Sequence, residues 1–270
     1  MIDIHAHILP GMDDGARDVN EALDMARIAV LEGMTGLIAT PHVAAGLYSR
    51  EKWQILDAVA ALNNLLIKEK IPLQLYPGAE YLLEPDIPQR LRSGEILTLN
   101  NGGKYLLVEF PFASVPVYAE NVIFEIMLQG VTPIIAHPER NAELQKNPGR
   151  LAGLIHQGAL AQVTLGSIAG LFGDKAKYAG INLVNQGLAH FLASDAHSPN
   201  NRPPLLKTLL KKMHQQLNTG MIELLTEQNP EHLIRGKPVK RVEPAEKTPK
   251  QKQAGRGLIS RLVKKLRQTP

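Results

Sequence analysis

The sequence predicts an α/β fold on a parallel sheet, either a barrel or a doubly wound sheet. Three observations carry this. Seven short apolar runs, each ending in polar or turn residues, have the length of buried strands. Helix-length patterns separate them, so the chain repeats βα units. Six of the seven runs close on or beside residues of one chemical kind, histidine and carboxylate. That fits parallel strands delivering side chains to a common mouth.

The runs span 2–8, 36–42, 73–81, 105–110, 132–137, 161–165 and 191–197. The first helix opens on Asp18-Val19-Asn20-Glu21, where an Asp cap with Glu three residues on forms a capping-box pattern, and it stops at Glu32-Gly33. Further helices are expected over 53–70, 118–129, 148–157, 176–186 and 204–216. No fixed-period repeat interrupts this order.

Composition removes several function classes. The 270 residues include no cysteine, which excludes disulfides, thiolate metal sites and every cysteine-nucleophile mechanism. No run of apolar residues reaches spanning length, and MIDIHAHILPG lacks the basic and apolar regions of a signal peptide, so a cytoplasmic protein is expected. The net charge of +4 conceals an asymmetry. From Gly236 to the end there are 11 Lys+Arg and 2 Asp+Glu, a net of +9, which leaves residues 1–235 at −5. A mildly acidic body suits cation binding and not a nucleic-acid partner.

The expected organisation is therefore a domain over 1–235 and a basic tail over 236–270. The tail begins as a Lys-, Pro- and Gln-rich linker. It ends in a basic amphipathic pattern, with Leu258, Ile259, Leu262, Val263 and Leu266 opposite Arg261, Lys264, Lys265 and Arg267. Such a face predicts peripheral contact with anionic lipid, each cation near the surface contributing about 1 kcal/mol.

The chemistry sits at the strand ends. The first strand ends in His5-Ala6-His7, and strand alternation puts both imidazoles on one face. Later ends bring His42, Glu80, Glu109 and His137, then the pair Asp195 and His197, and the loop after the first strand adds Asp13 and Asp14. So many imidazoles and carboxylates cannot converge unpaired, and divalent cations are the natural compensation. The donors are all nitrogen and oxygen, which favours Mn²⁺, Zn²⁺, Fe²⁺ or Mg²⁺. His5, His7, Asp14, His42, Glu80, Glu109, His137, Asp195 and His197 are too many for one ion, so two or three share bridging carboxylates. Arg140 follows in the string HPER, and Arg202 in SPNNRPP; guanidinium forks near a multinuclear site point to a phosphorylated substrate. His156, His190, His214 and His232 fall outside the pattern.

The order HxH, TPH, GAE, EFP, AHPER and SDAH resembles the polymerase-and-histidinol-phosphatase (PHP) superfamily. The longer string HAHILPGMDDGA is similar to the bacterial manganese-dependent protein-tyrosine phosphatases of capsule and exopolysaccharide loci. The likeness runs over 1–235 and leaves out the tail. It implies an irregular (β/α)₇ barrel holding three metal ions, Mn²⁺ foremost. It implies one ion on His5, His7, Glu80 and Asp195, with Glu80 bridging to a second on Glu109 and His137. A third would sit on Asp14, His42 and His197. Arg140 and Arg202 match the family's phosphate-binding arginines. The implied reaction is hydrolysis of phosphotyrosine by a metal-bridging hydroxide, on a membrane-associated tyrosine autokinase. The rival readings are a histidinol-phosphate phosphatase of the same superfamily, a non-catalytic membrane- or kinase-binding module, and a nuclease. The DDGA string favours the tyrosine phosphatase, the full ligand set opposes a non-catalytic role, and the acidic body opposes a nuclease.

Overall fold

Parallel strand segments form the inner wall: β1 (Ile2–Ala6), β2 (Gly36–Ala39), β3 (His42–Val43), β4 (Gln74–Pro77), β5 (Glu80–Leu82), β6 (Tyr105–Glu109), β7 (Thr132–Ala136), β8 (Leu160–Thr164) and β9 (Phe191–Ala193). They belong to a computed structural model that describes residues 1–213, 217 and 219–241. The amphipathic stretch 258–266 and His214 lie outside the described residues.

Two of the segments are continuations of others. The strand β2–β3 is interrupted at Thr40-Pro41, where proline has no N–H to give the ladder. The strand β4–β5 is interrupted at Gly78-Ala79. A side chain at Gly78 would start 2.8 Å from Ile38 Cγ2 and from Leu99 Cδ2, so only glycine fits there. Across both breaks the Glu80 N–H donates to the Pro41 carbonyl at 3.0 Å. Each predicted run thus corresponds to one strand, and the strands pair in sequence order from β1 to β9. The ring closes at its upper rim. Ala6 pairs with Ala196, the His7 N–H donates to the Ala196 carbonyl at 2.8 Å, and the Asp195 N–H donates to the His5 carbonyl at 2.9 Å. The result is the irregular parallel barrel that the resemblance implies, with a bridge instead of a full ladder at its seam.

Side chains alternate between two apolar layers. Tyr105 and Leu107 of β6 point into the barrel with Ile38, Ile134, Phe191 and Ala193, while Leu106 and Val108 face the surrounding helices. Leu99 and Leu233 join the inner layer, which is therefore packed and not a pore. In β1 the register with β2 slips between Asp3 and Ala6. Ile4 can so belong to the inner apolar layer while His5, the next residue, reaches the rim.

The expected helices are present with shifted ends. The helix Val19–Leu31 starts at Asp18, whose carboxylate accepts the Glu21 N–H at 3.0 Å. The reciprocal half of the capping box is displaced. The Glu21 carboxylate accepts the N–H of Arg17, one residue early, because it also holds the Arg17 guanidinium. The helix expected over 53–70 runs Lys52–Lys68, since Lys70 turns into the left-handed region with φ 55°. The helix expected over 204–216 is described as Lys207–Met213.

The chain remains attached to the barrel beyond the composition change at Arg235. Tyr105 donates its hydroxyl to the Lys237 carbonyl at 2.7 Å, Asn229 exchanges two bonds with Lys240, and Arg241 donates to the Ile155 carbonyl at 2.9 Å. Each such bond contributes about 1 kcal/mol. A protein ending at Arg235 is therefore expected to melt several degrees below one ending at Arg241. Thermal unfolding of the two truncations checks this, and equal midpoints would refute it.

Candidate active site

Glu80 stands at the centre of the barrel mouth and is fully buried. The break before β5 places it opposite His42 in the β3–β5 register. Its two carboxylate oxygens face different partners. Oε1 lies 2.9 Å from His137 Nε2. Oε2 lies 3.1 Å from His5 Nε2, 3.4 Å from His7 Nε2 and 3.1 Å from His42 Nδ1. Glu109, at the end of β6, lies 3.3 Å from His42 and 3.8 Å from His137. Asp195 directs Oδ1 toward His5, His7 and His197 at 3.6, 3.5 and 3.5 Å. Asp14 reaches His42 and His197, each at 3.6 Å. All nine predicted donors are therefore brought together.

Their grouping is less partitioned than the resemblance implies. His5, His7 and Glu80 form one set whose donor atoms lie within 4.8 Å of one another; His42, Glu80 and Glu109 form a second; His7, Asp14, His42 and His197 form a third. His7, His42 and Glu80 each belong to two sets, because they occupy the middle of the cluster.

The orientation of the imidazoles shows what the cluster is built to hold. His7 Nδ1 lies 2.6 Å from Asp13 Oδ2, and His5 Nδ1 lies 2.8 Å from Gln162 Oε1. Both acceptors are oxygens, so each ring places its proton on Nδ1 and leaves Nε2 as a bare lone pair. The two Nε2 atoms nevertheless face each other at 3.1 Å, with Glu80 and Asp195 oxygens around them. Lone pairs and carboxylates converging on one point require a cation between them. The donor set therefore fits divalent metal ions. Without them protons substitute. Burial pushes the His5 and His7 imidazoles down, but Glu80 and Asp195 around His5, and Asp13, Asp195 and Glu80 around His7, pull them above their ordinary range. Burial opposes ionisation of Glu80, yet His5 and His137 hold it well below the carboxylate range. Burial and the neighbouring His7 push His197 down to about 2.

Two of the site residues occupy unusual backbone. His137 has φ 31° and Asp195 has φ 53°, both left-handed. Each such residue costs of order 1–3 kcal/mol and persists only where its surroundings overdetermine it. Both lie just beyond a strand end, where the chain must turn sharply to aim a side chain back over the mouth.

Arg140 and Arg202 converge on the other Asp195 oxygen. Arg140 donates to Oδ2 at 2.6 Å and Arg202 at 2.7 Å. Glu139 is not a partner of Arg140. It is buried under β8, where it accepts the Ser167 hydroxyl at 2.6 Å and the Thr164 N–H at 3.2 Å. A cleft of about 360 Å³ opens above, lined by His42, Glu109, His137, Asp195 and the two arginines, with Leu47, Tyr48 and Phe112 at its apolar edge.

Residues the sequence reading left without a role support this constellation. Asp13 also accepts the N–H groups of His42 and Gly15 at 2.9 Å each, tying the loop to two ligand-bearing strands. Gln162 is an amide in the middle of the otherwise largely apolar β8, and that mismatch was its signal. His190 and His232 lie outside the site; His190 accepts the Ala161 N–H within the barrel wall, and His232 bonds the Pro238 carbonyl.

A parallel barrel whose strand ends converge imidazoles and carboxylates around buried lone pairs, beneath an open cleft, has the layout of a metal-dependent enzyme. The particular lineage follows from comparison. The chain belongs to the CpsB/CapC family of capsular polysaccharide synthesis, whose model matches residues 1–235. It is 43% identical over 244 residues to the tyrosine-protein phosphatase YwqE of Bacillus subtilis, covering 90% of this chain and 95% of that one. It is 38% identical over 224 residues to the putative tyrosine-protein phosphatase CapC of Staphylococcus aureus, covering 81% and 88%. A chain from the crystal structures of YwqE from Bacillus subtilis and CpsB from Streptococcus pneumoniae superimposes with a TM-score of 0.86 at 42% identity. It covers 91% of this chain and all of that one, and those proteins are described as unique metal-dependent tyrosine phosphatases.

The Asp13–His7 bond carries a prediction. Asp13→Asn removes the charge that holds the His7 proton on Nδ1, and is expected to weaken metal binding by about 10–100-fold. Metal titration of the stripped variant measures this; unchanged affinity would refute the assignment.

Proposed function

We propose that this chain is a metal-dependent protein-tyrosine phosphatase. The carrying observation is the 3.1 Å approach of His5 Nε2 to His7 Nε2, with Glu80 and Asp195 oxygens around them. In this reading His5, His7, Asp14, His42, Glu80, Glu109, His137, Asp195 and His197 hold three ions, with Mn²⁺ preferred. Bound there, the ions would activate water for attack on phosphorus and offset the charge of the phosphate.

The protein's own groups do the remaining work. Arg140 and Arg202 present N–H donors at the cleft and bind the equatorial phosphate oxygens, where charge spreads during transfer. Asp195 aligns both guanidinium groups before substrate arrives. The apolar edge of Leu47, Tyr48 and Phe112 receives the tyrosyl ring. A tyrosyl oxygen has a pKa of about 10 and leaves without obligatory protonation. The substrate is a protein phosphotyrosine, that of a membrane-associated tyrosine autokinase in capsule or exopolysaccharide synthesis. The relatives named as tyrosine-protein phosphatases support this choice over histidinol phosphate.

Metal-stripped protein is expected to release phosphate from a phosphotyrosine peptide only after Mn²⁺ is added, and not from histidinol phosphate. Release from histidinol phosphate alone would overturn the reading. His137→Ala and Asp195→Ala are expected to abolish turnover together with bound metal. Arg140→Ala should retain metal and lose about a hundredfold in kcat; metal analysis beside steady-state kinetics separates the two classes.

The proposed location is cytoplasmic, with the tail at the inner face of the membrane. Among the described residues no helix is long and apolar enough to cross a membrane. Full-length protein should pellet with anionic liposomes and a protein ending at Arg241 should not. Equal pelleting would sink the membrane role of the tail.

A further inference from the structure

Among the described strands, with β2–β3 and β4–β5 each taken as one, β8 is the one whose end supplies no proposed metal donor, yet the segment after it reaches the mouth. That segment carries Phe172. The Phe172 ring lies 4.3 Å from the Arg140 guanidinium carbon and 5.3 Å from that of Arg202, so one ring serves both arginines. Phe112, from the loop after β6, covers Arg140 at 4.8 Å. Arg140 is thus held by two aromatic rings, and Arg202 by one.

The loop is built to seat Phe172. Gly166 leaves space beneath it, since a side chain there would start 3.3 Å from Phe172 Cε2 and 3.2 Å from Leu171 Cδ1. Gly170 and Gly173 flank the residue with φ of 92° and 84°, and the Leu171 N–H donates to the Gly166 carbonyl at 2.9 Å.

We infer that Phe172 is a positioning residue that braces Arg140 and Arg202 as a fixed phosphate-binding fork, with Phe112 completing the brace on Arg140; this rests on the phosphate-binding role proposed above. The physical reason is the division of a guanidinium into face and edge. Its hydrogen-bond donors all lie in the plane, whereas an aromatic ring engages the face. Asp195 occupies edge donors, and a phosphate must compete for them. The ring contacts remain when edge donors turn to phosphate oxygens, so the fork keeps its orientation through binding.

The test uses full-length protein loaded with Mn²⁺, a phosphotyrosine peptide as substrate and inorganic phosphate as probe in calorimetry. Phe172→Leu keeps apolar bulk and removes the ring face. It is expected to lose about tenfold in kcat/KM and a similar factor in phosphate affinity, with metal content and thermal unfolding unchanged. Phe172→Trp should restore most of both. In the Arg140→Ala, Arg202→Ala background, Phe172→Leu should cause no further loss of phosphate affinity or activity. Phe112→Leu supplies an independent arm. Its smaller loss, about threefold, is read on inorganic-phosphate affinity alone, since Phe112 also borders the tyrosyl pocket; it should vanish with Arg140→Ala and persist with Arg202→Ala.

Unchanged phosphate affinity and kcat/KM in Phe172→Leu would overturn the brace. So would an undiminished loss in the double-arginine background, which would mark a structural role. Should Phe172→Leu fail to fold, the Phe112→Leu cycle decides. Failure of the wild type to hydrolyse the peptide would overturn the phosphatase reading instead, and the phosphate calorimetry would still judge the brace.

Discussion

Glu80 is a buried carboxylate with an imidazole on every side, and the rest of the mouth is arranged around it. One oxygen faces His137, and the other faces His5, His7 and His42. An ionised group in such a place is tolerated only when opposite charge is supplied on both of its oxygens. His5 and His7 each turn Nδ1 to Gln162 or Asp13, so they bring positive charge to Glu80 only when their inward Nε2 atoms take up protons as well. The constraint is therefore positive charge that comes from outside the chain. A site with this requirement fits metal ions, and protons are the substitute in their absence.

The fold meets the requirement by rigidity at two levels. The donors stand at or just beyond strand ends or in the tight loop after β1, and each interrupted strand re-aims one of them: the break at Thr40-Pro41 precedes His42, and the break at Gly78-Ala79 precedes Glu80. Behind them, Asp13 and Gln162 set ring orientation, and Glu139 ties the HPER turn to β8 through Ser167 and Thr164. The left-handed backbone at His137 and Asp195 is the cost of directing side chains inward where the strands end.

Asp195 links the two halves of the chemistry. One oxygen belongs to the cluster of imidazoles and the other to the arginines. The cluster and the two arginines therefore share a single carboxylate. The relatives described as tyrosine phosphatases match this chain along nearly its whole barrel, which is consistent with a mouth that acts as one unit.

Much of this was legible in the sequence because it depends on local order. Runs of strand length, the i, i+2 spacing of His5 and His7, and the histidine or carboxylate at six of the seven strand ends are one-dimensional signals, and a parallel barrel turns them into one mouth. The nine proposed donors and both arginines, which the structure brings together at the mouth, could be chosen on that basis. Other features depend on pairs far apart in the chain. Gln162 meets His5 across 157 residues, so nothing local marks it as a tautomer setter. Phe172 reads as one apolar residue in a glycine-rich turn until the barrel brings it over Arg140 and Arg202. The composition change at Arg235 is a real sequence boundary, yet Lys237, Lys240 and Arg241 remain hydrogen-bonded to the barrel, because surface composition does not report backbone partners. Sequence by itself determined which chemistry converges, since residue type and period are local. Tertiary structure alone decided which nitrogens face the cluster, which Asp195 oxygen meets the two arginines and which ring lies over them, since those are properties of packed geometry.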